Sequence, residues 1–77
     1  MHMQAYLLIA VQEGKELDLQ QKLLDFDKVL EVNIVFGEWD LIAKVEEASP
    51  ESLATFVMDK IRSEKYVNLT STIIVAK

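Results

Sequence analysis

The sequence predicts an α+β fold in which a four-stranded antiparallel sheet carries two helices on one face. Three observations carry this reading. Apolar runs rich in β-branched residues lie at residues 4–12, 29–36, 39–46 and 66–76. Two stretches with helical spacing, residues 15–27 and 50–62, separate the first run from the second and the third from the fourth. Gly37 stands between the second and third runs, where positive φ carries no Cβ penalty and the chain can reverse as a hairpin.

The first run, Gln4-Ala5-Tyr6-Leu7-Leu8-Ile9-Ala10-Val11-Gln12, is short and almost continuously apolar, as in a strand buried on both faces. Ala5, Leu7, Ile9 and Val11 share one face; Tyr6, Leu8 and Ala10 share the other. Glu13-Gly14 ends it. Residues 15–27 are rich in the helix formers Leu, Gln, Lys and Glu. On a helical wheel Leu17 and Leu24 form one stripe, and Leu19, Leu23 and Phe26 form another on the far side. One stripe faces the sheet; the other is either the rim of a wide apolar face or a subunit contact.

The hairpin follows, with Gly37-Glu38-Trp39-Asp40 at its tip, a carboxylate and an indole at the mouth of a hydrophobic sheet. In the third run Leu41, Ala43 and Val45 alternate with Ile42, Lys44 and Glu46, and Asp40 has the parity of the second set. Ser49-Pro50-Glu51 is a helix start: serine caps, proline takes the first helical position, and an acid sits in the positive first turn. Leu53, Ala54, Val57 and Ile61, flanked by Phe56, make an apolar stripe, with Met58 packing at its edge. In the last run Leu69, Ser71, Ile73 and Val75 share one face, and Asn68, Thr70, Thr72 and Ile74 the other. The charge runs Asp25-Phe26-Asp27-Lys28 and Arg62-Ser63-Glu64-Lys65 read as solvated surface.

The order βαββαβ, right-handed crossovers and hairpin adjacency together give the split-βαβ, ferredoxin-like arrangement with strand order 4-1-3-2. Two helices cover one face only. The other face, expected to hold Tyr6, Leu8, Ile42 and Ile74, is too apolar to stay wet, so a dimer stacked sheet to sheet is expected.

Seventy-seven residues make one domain, spanning 1–77. A chain this short buries only about 60% of its unfolded surface and gains from self-association. There is no cysteine, and His2 is the single histidine, so neither disulfides nor an ordinary zinc site is expected. The net charge of −5, with no basic stripe, argues against direct nucleic-acid binding. No apolar run approaches the roughly 20 residues of a membrane span, and no signal-peptide pattern opens the chain, so a soluble cytoplasmic protein is expected.

Glu38 and Asp40 are the acidic pair at a turn. No histidine, lysine or metal set completes them as acid and base, so an enzyme is not expected. A binding role is better motivated. Turn N–H groups can hold a carboxylate while Asp40 pairs with an ammonium, matching the two ends of an α-amino acid. Alternatively, Asp40 only accepts N–H bonds within its own turn. Trp39 is either a core plug or a subunit anchor. Thr70 and Thr72 suit a strand by propensity, and their hydroxyls could also meet a ligand at the sheet edge.

Ala5-Tyr6-Leu7-Leu8-Ile9, Phe36-Gly37-Glu38-Trp39-Asp40, the helix after Ser49-Pro50, and Val67-Asn68-Leu69-Thr70-Ser71-Thr72-Ile73-Ile74-Val75 together resemble the effector-binding (RAM) domain of the Lrp/AsnC, or feast/famine, transcription regulators. The hairpin matches that family's Gly-x-x-Asp and the last strand its Val-x-x-Thr-x-Thr. Tyr66 stands where the family usually has glycine, and Trp39 where it often has Tyr or Ala. The resemblance spans essentially the whole chain and implies the stand-alone form, without a helix-turn-helix domain. It further implies a sheet-to-sheet dimer, an octamer or other ring of dimers, and an amino acid held between dimers. The implied contacts are Gly37, Glu38, Trp39, Asp40, Thr70 and Thr72, with no cofactor. Regulation would act through assembly, alone or with helix-turn-helix-bearing relatives. Two other readings stay open: an assembly module with no ligand, and an enzyme of the dimeric α+β barrel type.

Overall fold

The structure, a computed structural model, describes residues 2–77. Its elements run β1 (Met3–Val11), α1 (Glu16–Leu24), β2 (Val29–Ile34), β3 (Leu41–Glu47), α2 (Pro50–Phe56), a π-turn (Val57–Ile61) and β4 (Val67–Ile74). All neighbouring strands are antiparallel in the order β2-β3-β1-β4, which is the expected 4-1-3-2 counted from the opposite edge. The fold is α+β and ferredoxin-like.

Register decides which side of each strand meets the helices. Leu7 lies between Ala43 and Thr72, and Leu8 between Ile42 and Ser71. The first set looks toward the helices. There Ala5, Leu7, Ile9, Leu41, Ala43 and Val45 are buried with Leu19 and Leu23 of α1 and with Leu53, Phe56, Val57 and Ile61. Each fully buried leucine or isoleucine contributes about 2 kcal/mol. Phe26 extends this core, edge-on to Phe56 with ring centres 5.2 Å apart. Of the two stripes on α1, Leu19-Leu23-Phe26 is therefore the inward one, while Leu17 and Leu24 are exposed.

The second face of β1 is not buried in a single copy: Tyr6, Leu8 and Ala10 are partly accessible to solvent. Their neighbours correct one expectation. Ile74 pairs with Ala5 and so lies on the helix side. Leu69 and Ile73, opposite Ala10 and Tyr6, take the open face instead. Alternation separates the two sets of a strand, but only register says which set points inward. The open face thus carries Tyr6, Leu8, Ile42, Leu69 and Ile73, with the Lys44 ammonium 5.9 Å from the centre of the Tyr6 ring.

Element ends differ where turns intervene. α1 stops at Leu24 because Phe26 N–H donates to Leu23 O (3.1 Å) and Val29 N–H to Phe26 O (3.0 Å), turning the chain into β2. β4 begins at Val67, since Tyr66 belongs to a turn whose carbonyl accepts from Gln12 N–H at 2.8 Å. The second helix does not stay α-helical to residue 62. Arg62 N–H donates to Val57 O, five residues back, at 2.8 Å. This wider turn keeps Phe56, Val57 and Ile61 all in the core and leaves Met58 61% exposed, so Met58 is not core packing.

Candidate functional site

The hairpin tip is built from the end of β2 and the start of β3. Val35 N–H donates to Asp40 O at 2.9 Å, closing the loop around Gly37, whose φ of +135° disfavours any residue with a Cβ. The tip is tied to β1 twice. Asp40 N–H donates to Ile9 O at 2.9 Å, and Asp40 Oδ2 accepts from Val11 N–H at 2.8 Å. The carboxylate thus serves a neighbouring strand rather than its own turn, which corrects the local reading of Asp40. Among the described residues, Oδ1 forms no hydrogen bond.

Trp39 is half-buried and lies outside the hydrophobic core, so it is not a core plug. Glu38 is exposed and forms no ion pair among the described residues. Gly37, Glu38, Trp39 and Asp40 therefore sit together.

Thr70 and Thr72 do not join them within one copy. They pair with Ile9 and Leu7 on β4, beyond β1, and so lie about 10 Å from β3 at the usual strand spacing. They face the helix layer, which leaves this edge strand partly uncovered. A groove of about 380 Å³ opens there, lined by Leu53, Ala54, Val57, Met58, Thr70 and Thr72, with Arg62 also on its wall.

One polar cluster escaped sequence reasoning. Glu47 is only 7% exposed, and its Oε2 lies 2.7 Å from Lys28 Nζ while Ser52 Oγ donates to Oε1 at 3.0 Å. The Lys28 hydrogen bond holds the Glu47 carboxyl below the usual glutamate range; burial opposes this and Ser52 adds to it. The same ammonium lies 5.0 Å from the centre of the Phe56 ring. Lys28 is therefore not plain solvated surface. A signal was present: Glu47 continues the alternation of Leu41, Ala43 and Val45. Elsewhere, Lys22 pairs with Glu64 across the surface, and that hydrogen bond raises the lysine pKa. Burial pushes the Tyr66 phenol up. Among the described residues, no three His, Cys, Asp or Glu side chains cluster as metal ligands.

Comparison with known proteins gives this geometry a context. The Lrp/AsnC ligand-binding domain model matches residues 4–77. The HTH-type transcriptional regulator FL11 of Pyrococcus furiosus is 33% identical over 73 residues, covering 95% of this chain and 48% of that protein. The chain thus spans about half the length of the curated relatives it matches. The crystal structure of hypothetical protein PHS023 from Pyrococcus horikoshii superposes with a TM-score of 0.89 at 38% identity, covering 100% of this chain and 92% of that one. The transcriptional regulator NMB0573 from Neisseria meningitidis, solved as a complex with L-Met, shares the fold at a TM-score of 0.85 and 19% identity, over 97% of this chain and 50% of that one. Strand order, the glycine-centred hairpin and the match over residues 4–77 agree: the chain belongs to the Lrp/AsnC ligand-binding domain family.

Proposed function

We propose that this domain is an amino-acid sensor that acts in transcription regulation by changing its assembly. The observation that carries the reading is Asp40: one carboxylate oxygen is anchored by Val11 N–H at 2.8 Å while the other is left for a ligand ammonium. Gly37 beside it lets backbone N–H groups face a ligand carboxylate. A complex with L-Met in the Neisseria relative supports an amino acid as the ligand class.

Within one copy the tip and the Thr70–Thr72 pair lie apart, so a site using all six residues takes them from more than one copy. The open face of Tyr6, Leu8, Ile42, Leu69 and Ile73 supplies a sheet-to-sheet dimer, and rings of dimers would bring the tips together. A ligand there shifts the assembly only by binding one state more tightly than another. With a net charge of −5 these residues repel phosphate, so DNA contact falls to helix-turn-helix segments such as those of HTH-type relatives. The role is regulatory rather than catalytic, carried out in the cytoplasm beside those partners.

Calorimetry across the twenty amino acids tests this. At least one should bind. Asp40→Asn keeps an acceptor for Val11 N–H but removes the charge, and should weaken that binding roughly tenfold or more with the dimer intact. Absence of heat for every amino acid would end the sensor reading.

A further inference from the structure

Between the second helix and β4 runs the groove of about 380 Å³. Leu53 and Val57, 2% and 7% exposed, form its floor, while Ala54, Met58 and Ile74 stand exposed along its rim. The wider turn at Val57–Ile61 is what sets Met58 there: Val57 and Ile61 go to the core, and Met58 stays out. Methionine is flexible and polarisable, so it adapts to more than one apolar shape. The space is ample for a leucine, methionine or phenylalanine side chain. Thr70 and Thr72, two of the proposed effector contacts, line the same groove. Its one charged lining residue is Arg62, and no acid lines it.

We propose that this groove selects the effector by its side chain. An amino acid held by Asp40 of one copy and by Thr70 and Thr72 of another lays its side chain against Leu53, Val57 and Met58, so the preferred ligand is large and apolar. The proposal rests on the sensor reading and narrows it to one ligand class. An apolar side chain gains by leaving water there, whereas an amide or carboxylate loses hydration over the floor of Leu53 and Val57. A lysine or arginine side chain meets Arg62 and finds no counter-charge. Alanine enters without filling the space.

Calorimetry on the full chain compares L-leucine, L-methionine and L-phenylalanine with L-alanine, L-asparagine, L-glutamate and L-lysine. At least one of the first three should bind about tenfold or more tighter than each of the other four. Ala54→Glu and Met58→Glu, both at exposed positions, should each weaken that ligand about tenfold or more without weakening L-lysine. Thr55→Glu, exposed on the same helix but outside this groove, should leave the ranking unchanged. Thermal melts check that each variant stays folded. No binding by any amino acid ends the sensor reading and this proposal with it. Binding led by alanine, asparagine, glutamate or lysine overturns this proposal alone, and glutamate in first place would make Arg62 the selector. An unchanged apolar ligand in either groove variant overturns it too. So does an equal loss for L-lysine, which would mean that the whole site is damaged, or an equal loss in Thr55→Glu, which would mean that net charge is the cause.

Discussion

Glu47 shows how one side chain can bind acid stability to a turn. Its carboxyl is held below the ordinary value near 4.5 by Lys28, so the folded state favours the ionised form. The sign follows from linkage: this contribution is present above about pH 4.5 and fades as pH falls through the lower folded value. Urea midpoints measured between pH 3 and 7 should therefore show wild type losing stability more steeply on acidification than Glu47→Gln, the two curves converging at the acid end. Parallel curves would remove Glu47 as the cause. At this scale the sequence was half legible. Asp40 was visible because it follows a glycine turn, but its partner, Val11, is 29 residues away and no local pattern points to it. The burial of Glu47 follows from the alternation of Leu41, Ala43 and Val45, but its partners do not, since Lys28 and Ser52 reach it from other elements.

Among the elements, the second helix was the most legible at its start and the least at its end. Ser49 caps it as expected: Ser52 N–H donates to Ser49 Oγ at 3.1 Å, and Ser49 N–H donates to Ser52 Oγ at 3.2 Å. Ser49→Ala should cost about 1 kcal/mol, read as a lower urea midpoint with unchanged slope. The cap is also a relay, because Ser52 Oγ reaches Glu47 and so ties the helix start to β3. The π-turn had no comparable signal. Leucine and valine spacing reads the same for an α-helix with one crowded turn, and the wider turn arises only from what Phe56, Val57 and Ile61 meet in the core. Likewise strand alternation puts Thr70 and Thr72 on one face, as found, while the groove beside them depends on how far the helix layer extends.

For the molecule as a whole, composition and order were sufficient for the fold: four short strands, two helices and one glycine hairpin leave few right-handed arrangements. What covers the open face was inferred from its chemistry. A chain of 77 residues with Tyr6, Leu8, Ile42, Leu69 and Ile73 on one bare face has every reason to pair. Ile73→Glu places a charge within that patch, on the edge strand β4 opposite Tyr6, and should weaken sheet-to-sheet pairing about tenfold or more. Light scattering should then report a monomer at micromolar concentration where wild type gives at least a dimer. Equal masses for the two proteins would refute sheet-to-sheet pairing.

The chain has a single tryptophan, and the hairpin holds it half-buried at position 39, one residue from Asp40. Nature has therefore installed one fluorophore at the place where metabolite and neighbouring copy are proposed to converge. Its emission moves toward the blue when the loop dries and toward the red when water returns, with no other indole to blur the signal. Occupancy of the tip becomes readable as a colour change in unlabelled protein.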